Sequence, residues 1–307
     1  MKPVFFIGEI NVDIILGGLE SLPEVDREVV CASFDVTIGS STAICACNYA
    51  SLGGAASFVG LAGEDEYGDF MVRGLREFRI GTELVRRTAK VKTGVTVNLI
   101  FGKTRTQVTY PGAISEFGIE HIDLETLNGC RHIHIGGPFM QTRLLPHVAS
   151  LLRFARNRGV TTSLDPQWDS SGRWAQIEEW LPLLTWFFPN RDEALAITGV
   201  DDPAIACLRL AEATECPVVK LGGEGAMYAA NGSVVRRPGY PVDVVDTTGA
   251  GDAFDAGFLH GVLDRGMETG EAVSFANAVA ARSCTFVGGV NARSSWEDIS
   301  RFLEEKA

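Results

Sequence analysis

The chain has 307 residues, 46% of them hydrophobic, and a formal net charge of −12. That length and apolar content allow a sizeable core in one large α/β domain or two smaller ones. The charge excludes a broad basic footprint for nucleic acid or a membrane surface, and no run approaches the roughly 18 apolar residues that cross a bilayer. Seven Cys, at 31, 45, 47, 130, 207, 216 and 284, form no CxxC pair and no zinc-spaced cluster with His, so reduced thiols in a cytoplasmic protein are expected.

Residues 3–8 (PVFFIG) read as a buried strand and 10–16 as its extension. Glu9 and Asp13 interrupt the apolar run, so it is not read as a secretion leader. Residues 14–37, punctuated by Gly17, Gly18 and Pro23, read as hairpin strands outside the core. A helix is expected over 41–52, capped by Ser40 or Ser41 and stopped by Gly53 and Gly54, followed by a strand at 56–61 and an amphipathic helix at 67–78. Residues 95–102 and 105–110 alternate around a polar turn at Lys103 and Thr104, a hairpin that joins 14–37 in a small sheet. Beyond 114, strands at 132–136, 161–166, 186–190 and 217–222 alternate with helices at 144–159, 191–198, 251–263 and 271–283. Such βαβ alternation implies a parallel sheet with helices on both faces.

The chemistry concentrates in VVDTTGAGDAFDAGFLHGVL (244–263). Gly249 and Gly251 flank Ala250 and let the backbone turn tightly against a ligand before a long helix begins. The helix start offers unpaired N–H groups and a positive dipole end, an anion hole suited to charge on a transferring phosphoryl group. Asp252 in the first turn would ordinarily be a dipole-complementing acid, but beside an anion hole it is better suited to taking a proton from an attacking hydroxyl. The chain has no GxxxxGK[ST] loop, and GAGDAF puts Phe254 where a dinucleotide fingerprint has its third Gly.

DTTGAGDAFDAGF resembles the C-terminal signature of the ribokinase-like (pfkB-type) carbohydrate kinases, and the order of the other segments extends the resemblance over essentially the whole chain. It implies a ribokinase-like fold: a central, mostly parallel sheet flanked by helices, with a small β-sheet lid. The α/β nucleotide- and substrate-binding domain would comprise 1–13, 38–91 and 114–307, and the lid 14–37 and 92–113. The match makes Asp252 the catalytic base and Gly249, Ala250 and Gly251 its anion hole. FPNRDEA resembles the family's Asn-x-x-Glu motif, which implies that Asn190 and Glu193 organise Mg2+ through water near the ATP phosphates. VVKLGGEGA and FANAVAA resemble nucleotide-binding segments and nominate Lys220, Gly222, Gly225 and Asn277, with Lys220 standing where relatives often have Thr.

On the acceptor side, GEINVD resembles the opening strand that grips sugar hydroxyls through Asn11 and Asp13. GSSTAICA is similar to the Gly-Gly signature, giving Gly39, Ser40 and Ser41, but Ser40 replaces the second Gly and Ile44 replaces a sugar-contacting Asn. From the lid, Thr109, Tyr110, Gly112 and Arg105 are candidates to reach the substrate. A K+ cradle is implied at Asp246, Thr248, Cys284, Val287 and Gly289, and homodimerisation through the lid. The expected activity is transfer of the γ-phosphate of ATP to a primary hydroxyl of a ribose- or ketohexose-like sugar. The alternatives are a nucleoside kinase, which the loss of Asn at position 44 keeps open, and an inactive sugar- or nucleotide-binding sensor.

Overall fold

A computed structural model describes residues 2–102 and 104–306, so the expected turn residue Lys103 lies outside the described residues. The N-terminal part runs β1 (Val4–Ile7), β2 (Asn11–Leu19), β3 (Ser33–Ile38), α1 (Ser41–Ser51), β4 (Ala56–Gly63), α2 (Glu66–Glu77), β5 (Gly81–Thr88), β6 (Gly94–Phe101), β7 (Thr104–Tyr110) and α3 (Ala113–Glu116). Next come β8 (His132–Gly136), α4 (Val148–Arg156), β9 (Thr161–Asp165), α5 (Ile177–Trp180), β10 (Trp186–Phe187), α6 (Arg191–Thr198) and α7 (Pro203–Ala211). The last part holds β11 (Cys216–Lys220), β12 (Ala226–Ala230), β13 (Ser233–Arg237), α8 (Ala250–Asp264), α9 (Thr269–Ser283) and α10 (Trp296–Lys306). No helix among the described residues is long and apolar enough to cross a membrane.

Nine strands form the main sheet in the order β13-β12-β11-β10-β9-β8-β1-β4-β5. It is parallel from β11 to β5, and the β12–β13 hairpin closes one edge antiparallel. Alternation along β1 builds the core on both faces. Phe5 and Ile7 pack with Ile133, Ile135, Leu152 and Trp180 on one side. Val4 and Phe6 pack with Phe58, Phe188 and Phe258 on the other. Each such fully buried side chain contributes about 1.5–3 kcal/mol.

A second sheet of four strands, β3-β2-β6-β7, stands beside the first. Strand β2 is continuous from Asn11, so the lid boundary expected after Asp13 falls within a strand, and Asn11 and Asp13 belong to the small sheet. They do not extend β1. The two faces of this sheet differ. Val36, Ile14, Val97 and Val108 form one in-register row across it, with Phe34, Leu16 and Leu99 beside them on an apolar outer face. The inner face carries Thr37, Asp13, Thr96 and Thr109 in register.

Candidate active site

The carboxyl ends of the parallel strands meet the N-terminus of α8, the place where open α/β sheets gather ligand-binding loops. Gly249 is the N-cap of α8 with φ of 73°. A Cβ there would lie 2.8 Å from both Gly289 Cα and Ile44 Cγ2, so conformation and close packing both demand glycine. Ile44, which stands in place of the expected sugar-contacting Asn, is therefore packed against the turn expected to form the anion hole.

Two adjoining cavities share this turn. The larger, about 530 Å3, is lined by Asn190, Glu193, Lys220, Gly222, Gly225, Asn277, Cys284 and residues 249–252. The sequence-derived nucleotide residues thus converge on one cavity. The smaller, about 200 Å3, is lined by Asn11, Asp13, Ser40, Ser41, Ile44, Thr96, Thr109 and Asp252, together with Glu9 and Arg105. Asp252 and Gly249 line both. Arg105 lines both as well, and its guanidinium donates to Thr248 Oγ1 at 2.7 Å, tying the small sheet to the α8 turn.

Asp252 is buried, and its carboxyl has no hydrogen-bond donor among the described residues. Burial, then the negative charge of Asp165, pushes its pKa well above the usual carboxylate range, while Lys220 opposes the rise. Asn11 Nδ2 donates to Asp13 Oδ1 at 3.2 Å and to Thr96 Oγ1 at 3.1 Å. Burial raises Asp13 to about 6 against the pull of Arg105. Gly39 backs directly onto this pair, since a Cβ there would lie 2.3 Å from Asp13 Oδ1.

Ser40 adopts φ of 68°, the strained conformation that a glycine takes freely. Two hydrogen bonds compensate: its hydroxyl donates to the Glu9 carbonyl at 2.6 Å and accepts Ala43 N–H at 3.0 Å, capping α1. Ser41 donates through its amide and hydroxyl to Glu9 Oε1, at 3.1 and 2.8 Å. Both serines line the smaller cavity, but their hydroxyl protons serve Glu9.

Tyr110 requires a correction. Period-two alternation on β7 directs Arg105, Gln107 and Thr109 to the cavity, so Tyr110 joins the outer apolar face, 52% exposed and lining neither cavity. Asn277 lines the larger cavity, yet its amide group donates to the carbonyls of Arg237 and Pro238, both at 3.1 Å, which fastens α9 to that segment.

Asn190 and Glu193 form a reciprocal capping box on α6: Asn190 Oδ1 accepts Glu193 N–H at 3.0 Å and Glu193 Oε2 accepts Asn190 N–H at 2.8 Å. Burial, then Asp165, raises Glu193 to about 7. A carboxyl with this tendency, on the wall of the larger cavity, fits a Mg2+ held through water, because a nearby cation would ionise it. The K+ cradle fits less well. Both oxygens of Asp246 accept protein donors, from Thr248 and from Gly288 N–H at 2.8 Å. The carbonyls of Cys284, Val287 and Gly289 accept Val245 N–H, Asn291 Nδ2 and Asn48 Nδ2. These groups fasten the 246–248 loop to the 284–289 segment, and no chemical role is assigned to potassium.

Three contributors escaped the sequence reading. Glu9 organises the start of α1, and Asp165 and Asp255 hold Lys220 Nζ at 2.8 and 3.2 Å. The available signal was a charged residue at the carboxyl end of a core strand, which Glu9 and Asp165 both provide.

The profile described as pfkB family carbohydrate kinase matches residues 1–296. An ATP-dependent ribose-1-phosphate kinase of Halopiger xanaduensis is 30% identical over 100% of this chain and 99% of its own length. A 2-dehydro-3-deoxygluconokinase of Bacillus subtilis is 28% identical over 89% of this chain and 88% of its own. Among solved structures, the ribokinase of Thermotoga maritima superposes with a TM-score of 0.85 at 25% identity, covering 99% of this chain and 100% of that one.

Proposed function

The chain belongs to the pfkB family of carbohydrate kinases, and from that premise we propose that it moves the γ-phosphate of ATP to a primary hydroxyl of a ribose- or ketohexose-like sugar, with Asp252 as the base. One observation carries this reading: Asp252 is buried on the wall shared by a cavity of about 530 Å3 and one of about 200 Å3, at the open N-terminus of a helix. The larger cavity suits ATP, with its γ-phosphate at the N–H groups of 249–252. The smaller suits a sugar, whose hydroxyls Asn11, Asp13 and Thr96 can hold by donating and accepting.

The acceptor hydroxyl lies between Asp252 and the γ-phosphorus. As its oxygen bonds to phosphorus, its proton passes to Asp252 and the bond to the β,γ-bridging oxygen breaks, releasing ADP. A raised pKa suits Asp252 to accept that proton near neutral pH. Mg2+, when bound, neutralises charge on the phosphate oxygens, with Asn190 and Glu193 holding it through water. The small sheet acts as a lid that keeps water from competing with the sugar, tied down through Arg105 and Thr248. Its outer apolar face, with Phe34 67% and Val108 61% exposed, suits a second copy of the chain. Sedimentation should then give a dimer that Val108→Asp dissociates; a monomeric wild type would contradict it.

A nucleoside is the second reading. Trp168 and Met140, 56% and 41% exposed, line the acceptor cavity with Phe139 and Ile44, an apolar wall on which a base could stack. An ATP-consumption screen over pentoses, ketohexoses, sugar acids, sugar phosphates and nucleosides decides between the two. Turnover on a free sugar or its acid or phosphate supports the first reading, and turnover confined to nucleosides supports the second. Consumption with no acceptor in the panel would overturn both.

A further inference from the structure

Beneath the anion hole, three elements each deliver one charge to a single point. Asp165 ends β9, Lys220 ends β11, and Asp255 lies one turn past Asp252 on the same face of α8. Lys220 Nζ stands 2.8 Å from Asp165 Oδ2 and 3.2 and 3.3 Å from the two oxygens of Asp255. Asp165 is anchored in turn by the amide and side chain of Gln167, both at 3.1 Å. Asp165 and Asp255 are buried, and the Lys220 side chain keeps 11% of its surface. A Cβ on Gly251 would lie 3.4 Å from Lys220 Nζ, so the ammonium abuts the first turn of α8 just before Asp252.

An ion pair needs one carboxylate, and burying charge is a weak source of stability. Two carboxyl groups on one ammonium fix it in place instead. The charges around Asp252 give that fixing a purpose. Glu9 after β1, Asp13 on β2, and Asp165 and Asp255 all face Asp252 with carboxyl groups, Glu193 on α6 lines the same cavity, and an incoming triphosphate adds more negative charge. Cys45 from α1 is buried, and its thiol is pushed far up and stays neutral. Among the described residues lining either cavity, the cations are Lys220 and Arg105.

We propose that Asp165, Lys220 and Asp255 form a clamp that fixes one positive charge under Gly251, and that this charge, rather than a direct bond between Lys220 and the nucleotide, keeps Asp252 ionised as proton acceptor. The proposal rests on the reading of Asp252 as the base. Lys220 is thus a positioning residue that acts through Asp252. The directions at Asp252 agree: burial first, then Asp165, drives the carboxyl towards its neutral form, and Lys220 counters them. At Asp165 burial is outweighed by Lys220 and hydrogen bonds, so this carboxyl stays ionised, whereas Asp255, most deeply buried and beside Asp165, is pushed up.

The test is the pH dependence of kcat/KM for the acceptor at saturating ATP, in wild type, K220M and D165N. The titration of ATP is common to all three and cancels in the comparison. Losing Lys220 should move the acid limb up by about one pH unit or more, and losing Asp165 should move it down. The K220M activity should recover towards wild type as pH rises, with ATP affinity by calorimetry within about threefold, since removing an ammonium that makes no charge-assisted bond to the nucleotide costs little binding energy. An unshifted acid limb in both variants, shifts of the same sign, or a K220M loss carried by ATP affinity overturns the clamp. If K220M does not fold, K220Q decides alone: an upward shift of the acid limb supports the clamp, and an unchanged or lowered limb overturns it. D252N separates the two levels of argument. A D252N enzyme that still turns over removes the base itself, whereas an inactive D252N with unshifted partners removes only the clamp.

Discussion

Helix α8 carries a cluster of charge at each end, buried at the first turn and partly buried at the last, and the two ends are built differently. At the C-terminal end, Asp264 accepts Arg131 Nη2 at 2.5 Å on one oxygen and Tyr49 Oη at 2.6 Å on the other, with His260 Nδ1 at 3.3 Å. Burial pushes that carboxyl up, but the close approach of His260 and the hydrogen bonds from Tyr49 and Arg131 outweigh it and hold its pKa at about 2. At the N-terminal end, Asp252 has no such donors among the described residues, and its pKa rises well above the ordinary value. One Asp is satisfied and ionised, and the other is held in a state that favours taking up a proton. With Asp252 as the proposed base, the contrast would separate a structural charge from a reactive one on a single helix, because a group left unsatisfied at a cost to stability is available to a ligand.

The comparison can be broken at either end. The largest effect expected is on stability. Arg131→Met strands Asp264 and should cost about 3 kcal/mol, the low end for a broken buried pair because Arg131 keeps 18% of its side-chain surface. Chemical denaturation reads this, and kcat of the folded fraction should be unchanged. A kinetic loss without a stability loss would erase the distinction between the ends.

Gly251→Ala comes next and should act the other way. Alanine suits a helix better than glycine, and its methyl would meet Lys220 at ordinary van der Waals distance, 3.4 Å. The protein should melt no lower than wild type, while the methyl crowds the phosphate and lowers kcat about 100-fold. Retained turnover would move the phosphate site away from α8.

Tyr49→Phe removes one hydrogen bond to Asp264 and should cost about 1 kcal/mol with no kinetic effect. The acid side gives a further check. The folded pKa of Asp264, about 2, lies below its unfolded value of 3.8, so its contribution is present above 3.8 and is lost as pH falls through 2. Arg131→Met should flatten that stretch of the stability curve; an unchanged slope would assign the acid loss to other carboxyls.

Much of the N-terminal end was legible because it is local. Gly249, Gly251 and Asp252 lie within four residues, and a Gly turn opening an apolar helix makes a candidate anion site visible without any long-range contact. The capping box of Asn190 and Glu193 is equally short in range. The clamp was not legible, because Lys220 finds Asp165 and Asp255 across sequence separations of 55 and 35 residues. Sequence alone offered Lys220 only the nucleotide as a partner. Tyr110 and Thr109 differ by one position on β7, and only the pairing of β7 with β6 decides which faces the cavity. In the fold, the regular alternation after residue 114 gave away the parallel sheet. Strand β5 did not show itself, since GTELVRRT at a sheet edge has little apolar signal. Helix α10 lacks a strong start signal beyond Ser295, and α7 is short.

The central claim, that α8 holds a reactive acid at one end and a structural acid at the other, is tested most directly by melting temperature and turnover measured side by side in Asp252→Asn and Asp264→Asn. A raised folded pKa favours the protonated form, so the stability Asp252 contributes is present below pH 3.8 and lost as pH rises towards its folded value. Asp252→Asn should therefore melt above wild type at neutral pH while turnover falls about 10³-fold with ATP still bound. Asp264→Asn should melt below wild type with turnover of the folded enzyme intact. Two variants that shift melting in the same direction, or an Asp252→Asn enzyme with near-normal turnover, would contradict the account.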